Sequence, residues 1–440
     1  MSARDLRVAI VGSGISGLST AHQLRDSARV TLFESGDYFG GHTHTVDVTL
    51  PTPSGPVTHG VDTGFLVFNE RTYPNLIQLF ADLGVETAKS DMSFSVQVPG
   101  VRGGGRGMLE WSGSSLNSVF AQRGNLVNLK FLRMLRDILR FNKTTTALAE
   151  SGAEAAMLQP LAEFLREQKF SDEFRDWYFL PMMGCIWSCP TDQMLQFPVA
   201  TMIRFCHNHG LIQVADRPQW WTVKGGARHY VEKIIAGIDD KRLNSPVRRI
   251  EREAGLNRGG VRVTTDGGTE VFDRVVLAAH PDETLAVLAD ATAAARAVLG
   301  AIRYQPNIAI LHTDASVLPQ KKLAWAAWNY ERAVDDGRES ARVCLHYLLN
   351  MLQPLPFTDP VVVSLNPVKP IARKHIMGEF HYTHPVFDLA AIRAQADVPA
   401  LQGVNHSYFA GAWTGYGFHE DGLKSGLMAS TLLKQHGGVA

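Results

Sequence analysis

Three glycines at positions 12, 14 and 17, followed by a glutamate at 34, form the part of the chain best suited to holding a charged ligand. In Gly12-Ser13-Gly14-Ile15-Ser16-Gly17, the first glycine permits a tight turn and the second lets backbone approach a pyrophosphate. The third lets the next helix lie close to a strand, with the free N–H groups at the helix start facing the phosphates. Glu34, with Ser35 beside it, stands about twenty residues further on, where an acid accepts a ribose hydroxyl. The chemistry predicted is dinucleotide binding.

Other polar groups are candidates for chemistry of a different kind. His42 and His44 alternate just after Gly40-Gly41, with Thr43 between them as a hydroxyl donor. Two imidazoles can ligate a metal, but no carboxylate or thiol lies at a familiar spacing, so both are expected to line the cofactor cleft. Cys185, Cys189, Cys206, His207 and His209 lack the compact spacing of a zinc module and read as buried thiols and helix-surface histidines. No metal centre is expected. Gly103-Gly104-Gly105 reads as a turn and lacks the Lys-Ser/Thr of a nucleotide triphosphate loop. Near the end, Gly411-Ala412-Trp413 leads to His419-Glu420, where an imidazole and a carboxylate stand in a glycine-rich loop.

The elements needed to position these groups are legible as periodicity. Residues 8–11 and 30–33 are apolar runs of strand length on either side of the glycines, and residues 18–24 carry a mostly apolar helical face. Residues 72–83 predict a helix stopped by Gly84. Residues 161–190 are helical and aromatic, and Trp177, Phe179, Met182, Met183 and Trp187 are expected to line an apolar tunnel. Strands return with residues 261–265, a turn at Asp266-Gly267-Gly268, and residues 275–279. Residues 308–311 and 343–348 add strands to a second sheet, and residues 408–413 run into the last glycine loop and a helix from Leu423.

Composition narrows the classes. At 440 residues the chain exceeds one typical core, so two domains are expected. Lys plus Arg equals Asp plus Glu at 43 each, which gives no global charge for nucleic acid. Four cysteines make no disulfide framework, and a strand so near Met1 leaves no room for a signal peptide. A cytoplasmic location is expected. No apolar run approaches the ~20 residues of a membrane span. Residues 126–143 nevertheless predict a strongly amphipathic helix, with Lys130, Arg133, Arg136, Arg140 and Lys143 on one side. Val127, Phe131, Met134, Leu135, Ile138 and Phe141 form the other side, a pattern that suits peripheral contact with the inner membrane surface.

Several motifs together carry a family resemblance. Gly40-Gly41 resembles the second glycine pair of glutathione-reductase-like FAD proteins. With it, WTVKGGARHYVEKI at 221–234, VRRIER at 247–252, RVVLAAHPDETL at 274–285 and FAGAWTGYGFHEDGLKSGLMAS at 409–430 resemble the flavin-containing amine oxidase and phytoene desaturase superfamily. The resemblance spans nearly the whole chain. It implies an α/β fold: a glutathione-reductase-like FAD-binding Rossmann domain, with a mixed α+β substrate domain inserted. Residues 1–72, 218–297 and 398–440 would form the first, and 73–217 and 298–397 the second. Gly12, Gly14, Gly17 and Glu34 would hold the ADP half of FAD, with Ser13, Ile15, Ser16 and Ser35 in the same segments. Val247 would contact adenine through its backbone. Gly40, Gly41, His42 and Thr43 would sit near the pyrophosphate and ribityl chain, and Gly411, Ala412, Trp413, Gly422 and Leu423 would border the flavin.

Within that superfamily, GGHTHT at 40–45 and GYGFHEDGLKSG at 415–426 resemble a bacterial branch associated with enzymes that methylate or cyclopropanate phospholipid acyl chains. The branch includes a desaturase of methylated acyl chains on the way to furan fatty acids. Three positions depart from amine oxidases: His42 replaces an arginine, Ala412-Trp413 replaces an acid, and His419 replaces a cage aromatic. The last departure argues against a primary amine. The expected function is FAD-dependent dehydrogenation of a lipid acyl chain, with hydride passing to flavin N5 and reoxidation by oxygen or another acceptor. His419 is the first candidate to take the proton, with Glu420 and His44 behind it. The alternatives are a flavin amine oxidase and a non-catalytic flavoprotein partner of a lipid-modifying enzyme.

Overall fold

The computed structural model of the chain describes residues 6–102, 107–187, 190–213, 217–252, 260–333 and 343–437. Gly103, Gly104, Gly105 and Cys189 lie outside these residues. Val8, Ala9 and Ile10 have no exposed surface, as expected of a short β-branched run covered on both faces. Their strand, Arg7–Val11, pairs in parallel with Arg29–Phe33 on one side and Arg274–Leu277 on the other. Asp240–Arg242 and Ser407–Phe409 extend this sheet to five parallel strands among the described residues. The helix Ile15–Leu24 makes the crossover from the first strand to the second.

The last helix, His419–Gly437, lies against Ile15–Leu24. Small residues let them approach: a Cβ at Gly426 would collide with Ser19 Oγ and the Ser16 carbonyl. The two ends of the chain are thereby packed side by side. That helix begins at His419, four residues before the expected Leu423, because the Asp421 carboxylate accepts the N–H groups of Tyr416 and Phe418 and fixes the first turn.

A second mixed sheet, of seven strands among the described residues, is built from residues 94–102, 107–112, 303–331 and 344–386. Its strands include Arg303–His312, Trp328–Glu331, Cys344–Leu348 and Val362–Leu365. A smaller antiparallel sheet, Val247–Arg252 with Val261–Thr265 and Gly268–Phe272, contains the turn expected at Asp266-Gly267. The helix expected at 72–83 is Pro74–Leu83, with proline in its first turn and Gly84 left-handed at its end (φ 61°).

The amphipathic helix departs from expectation in what its apolar stripe does. It runs Leu129–Ser151, with the Asn128 side chain accepting the Lys130 and Phe131 N–H groups at its start. Phe131, Met134 and Phe141 are fully buried in the protein core, and Leu135 and Ile138 pack against that core. The cover is the aromatic segment that follows: Phe141 meets the rings of Phe170, Phe174 and Phe179. Arg140 is also occupied, donating to the Gln168 and Lys169 carbonyls and lying 4.1 Å over the Phe170 ring. Bare apolar surface is densest at the entrance to this helix, where Leu126, Val127 and Leu129 are 53%, 83% and 78% exposed, with Leu116 at 81%; further along, Leu132 and Leu139 are 38% and 62% exposed. Among the described residues, no helix is long and apolar enough to cross a membrane.

Candidate active site

A cavity of about 600 Å³ starts at the glycine turn and continues into the aromatic region of the second sheet. Gly12, Ser13, Gly14, Ile15, Ser16, Glu34, Ser35, Gly40, Gly41 and Val247 line one end. His42, Phe65, Gly411, Ala412, Trp413 and His419 line its middle, together with His280, Tyr304 and His384. The far end is formed by Met92, Cys185, Ile186, Trp187, Phe205, His209, Leu211, Trp328, Tyr347 and Phe418.

The glycines divide the work between ligand and packing. Gly12 has φ 99°, and a Cβ there would sit 2.7 Å from the Ala278 carbonyl oxygen. At Gly17 a Cβ would collide with the Gly12 carbonyl, so this residue sets the helix against the turn and does not reach the cavity. A Cβ at Gly14 would meet nothing within 4 Å, so the backbone is bare toward the cavity. The Glu34 carboxylate accepts from Ser13 N–H (3.0 Å), Ser13 Oγ (2.5 Å) and Gly36 N–H (2.8 Å), which holds it at the mouth of the turn.

The remaining sequence candidates are placed unevenly. Thr43, Gly422 and Leu423 are buried beside the cavity and do not line it. Gly422 faces Ile15 and Ser16, where a Cβ would lie 2.7 Å from the isoleucine side chain, so it serves helix packing. Glu420 points away from the cavity. Its carboxylate accepts from Asn75 N–H, Asn75 Nδ2 and Leu76 N–H at 3.1, 2.6 and 3.0 Å, capping the distant helix Pro74–Leu83. His44 is also outside the lining: it stacks on Tyr38 at 4.2 Å and shares Nδ1 with Tyr382 Oη and Thr63 Oγ1. Of the expected tunnel residues, Trp187 reaches the cavity. Trp177, Phe179, Met182 and Met183 turn into the core, and the next residues, Cys185 and Ile186, take the wall position.

His419 stands in the wall with its ring stacked on Phe65 at 3.9 Å. Tyr230 Oη lies 2.7 Å from His419 Nε2 and 2.5 Å from Thr43 Oγ1, giving a buried Thr43–Tyr230–His419 chain. Burial, then the neighbouring His42, pushes the His419 pKa down to about 3. Burial acts the same way on His42 (about 4, with His280 adding), His384 (about 3) and His209 (about 4). All four rings are neutral at pH 7. His280, His384 and Tyr230 carry no local spacing signal. They converge because the separate segments that carry residues 42, 280, 384 and 419 meet at one point.

Two observations test the fit of a large dinucleotide. The cradle at Gly14 is open backbone, and His42 Nε2 is buried with no hydrogen-bond partner among the described residues. The indole N–H groups of Trp187, Trp328 and Trp413, all in the cavity wall, are likewise without partners among those residues. Buried donors rarely stay unsatisfied, so a polar ligand reaching His42 and Trp413 from the glycine turn fits.

A parallel sheet with a glycine fingerprint, an acid at the end of its second strand and a cavity leading to an apolar chamber define a dinucleotide-dependent oxidoreductase. The chain belongs to the flavin-containing amine oxidoreductase family, whose model matches residues 15–354. Its cofactor is FAD. Solved structures with the same fold include cyclohexylamine oxidase from Brevibacterium oxydans (TM-score 0.67, 17% identity, 99% of this chain and 100% of that one). A CLA-producing fatty acid isomerase from P. acnes is similar at TM-score 0.65 and 15% identity, with 98% of each chain covered. Putrescine oxidase bound to putrescine matches at TM-score 0.66 and 16% identity, over 97% of this chain and 98% of that one.

Proposed function

We propose that this protein is an FAD-dependent oxidoreductase that dehydrogenates a lipid acyl chain, with the methyl-branched acyl chain of a phospholipid as the first substrate to test. One observation carries the proposal: the charge of the cavity wall. Among its described lining residues the only carboxylates are Glu34 and Glu283, both at the dinucleotide end, and there is no lysine or arginine. The chamber beyond is apolar and aromatic, and its histidines are neutral. A cationic amine would find no counter-charge there, and a free fatty acid would find no cation for its carboxylate. A hydrocarbon segment whose polar end stays outside meets neither penalty. The fatty acid isomerase of the same fold makes acyl substrates compatible with the scaffold, as the two amine oxidases do amines.

Bound FAD supplies the two-electron acceptor. The chain's own residues hold the substrate C–H bond in place and keep water out, which is the task of the wall from Ile186 through Phe205 and Phe418. The proton released in forming the double bond is taken at His419, whose neutral ring is backed by Tyr230 and Thr43. We further propose that lipid is met at the exposed tip formed by Leu116, Leu126, Val127 and Leu129, flanked by the exposed Arg123, Lys130 and Arg133.

The test is anaerobic mixing of the purified yellow protein with vesicles of methyl-branched phospholipid, and separately with primary amines. Lipid is expected to bleach the flavin absorbance and amines to leave it unchanged. His419→Gln is expected to keep its FAD and slow the bleaching about 100-fold. Bleaching by amines alone would establish the amine oxidase reading. No bleaching by either, with tight capture of a lipid-modifying enzyme, would establish the non-catalytic partner.

A further inference from the structure

On the face of the mixed sheet turned away from the cavity, three different metal-binding side chains converge on one point. Glu331 ends the strand Trp328–Glu331, and directly opposite it Cys344 begins Cys344–Leu348, with His346 two residues on and therefore on the same face. His346 Nε2 lies 3.4 Å from Cys344 Sγ and 3.2 Å from Glu331 Oε2. The three donor atoms all lie within 4.8 Å of one another, and all three residues are buried.

We propose that Glu331, Cys344 and His346 form a binding site for a zinc-class divalent cation. An imidazole Nε2 has one proton or one lone pair, so the Glu331 carboxylate and the Cys344 sulfur share that single partner. A cation seated between the three satisfies all of them. The spacing agrees: Zn–S of about 2.3 Å and Zn–N and Zn–O of about 2.0–2.2 Å in a tetrahedron place S and N about 3.6 Å apart and N and O about 3.4 Å apart. A thiolate with an imidazole selects zinc over magnesium or calcium. Three protein ligands leave the fourth position to water.

The neighbours of His346 orient it for this task. The Asp314 N–H donates to His312 Nδ1 at 3.0 Å, so His312 carries its proton on Nε2 and donates it to Ser364 Oγ at 2.7 Å. His346 Nδ1 lies 2.6 Å from the same oxygen. Ser364 Oγ accepts from His312, and its hydroxyl faces His346 Nδ1; a cation at Nε2 would leave the imidazole proton on Nδ1, donated to the same oxygen. A ligating histidine held by a hydrogen bond at its other nitrogen is the usual arrangement around protein metals. Entry is from the side of Glu331, where the exposed Lys369 ammonium sits 3.9 Å from Oε1 and can swing into solvent. On the opposite face, the same two strands present Trp328 and Tyr347 to the cavity wall, so a bound ion would tie the strands that carry that wall.

The experiment uses the FAD-loaded protein, treated with chelator, desalted and titrated with zinc chloride, with bound metal counted by mass spectrometry after gel filtration. One zinc per chain is expected, with a sulfur scatterer near 2.3 Å in the X-ray absorption spectrum. Cys344→Ser and His346→Gln are expected to weaken binding at least ~100-fold, and Ser364→Ala about 10-fold, with FAD content unchanged as the check on folding. Equal zinc binding by wild type and both ligand variants, or a wild-type spectrum without sulfur, overturns the site. Should Cys344→Ser lose its FAD, the sulfur shell of the wild type decides alone. None of these readouts depends on the substrate of the flavin.

Discussion

At the scale of single residues, Gly14 is the position where a substitution can test cofactor binding apart from folding. A side chain there would meet no protein atom within 4 Å, so it would project into the cavity without disturbing the turn. Gly14→Glu is expected to give a folded protein of wild-type secondary structure that elutes colourless, with FAD content below a tenth of wild type. The checks are the visible spectrum and circular dichroism. A yellow, folded variant would place the pyrophosphate elsewhere. Gly17→Ala, by contrast, is a folding lesion, because its Cβ would strike the Gly12 carbonyl. The spacing of the fingerprint made both glycines legible in the sequence and assigned their roles through the family pattern. It did not reveal that Glu420 caps a helix through Asn75, 345 residues earlier in the chain, or that His44 is held between Tyr38 and Tyr382. Which way a polar side chain points is decided by partners distant in sequence, and neither residue carries a local sign of its partner. The same holds for Glu331, Cys344 and His346, whose separations in sequence match no compact metal motif.

At the scale of elements, period and composition located helices and strands, but the identity of the covering surface lay outside their reach. The stripe of Phe131, Met134 and Phe141 has the spacing of a bilayer-facing helix and equally of a core-facing one. The aromatic rings that follow it in the chain decided for the core. A buried helix presents the same difficulty on a finer scale. Residues 180–187 are apolar all round, so the step from Met183, in the core, to Cys185 and Ile186, in the cavity wall, has no signature in hydrophobicity. The largest group of exposed apolar side chains left for lipid contact is at the entrance of Leu129–Ser151. Val127→Asp with Leu129→Asp is expected to cut flotation with anionic vesicles at least 5-fold while leaving FAD content and melting temperature unchanged, because neither side chain is packed. Charge reversal at Arg140 should instead lower stability, since its guanidinium binds two carbonyls and the Phe170 ring. Undiminished flotation of the double variant would remove the tip from the lipid-binding proposal.

At the scale of the whole molecule, the fold brings four neutral histidines from different parts of the chain to one buried wall, and this sets how stability responds to acid. His42, His209, His384 and His419 have folded pKa values of about 4, 4, 3 and 3, below the ~6.5 of an unfolded chain. The unfolded chain therefore binds more protons throughout that window. Their contribution is complete above about pH 6.5 and is lost as pH falls toward 4. At pH 5 each ring costs about 2 kcal/mol relative to neutral pH. Asp62 and Asp421 act in the opposite sense. Burial raises both to about 6, so the folded state takes up protons there and regains about 1 kcal/mol from each at pH 5. The histidines win in number and in size of shift. The melting temperature should therefore fall by roughly 5 °C between pH 7.5 and pH 5, given the entropy of unfolding a chain of this length. His384→Gln, which keeps an acceptor for the Asn307 amide now 2.8 Å from His384 Nδ1, should flatten that fall by about two-fifths. A melting temperature that rises on acidification, or a pH slope unchanged by His384→Gln, would falsify this assignment of the acid response to the cavity wall. Motif order made two separated stretches of the cavity lining legible in the sequence. The clustering of residues 42, 209, 384 and 419 required the chain to close its last helix onto its first, which no local pattern encodes.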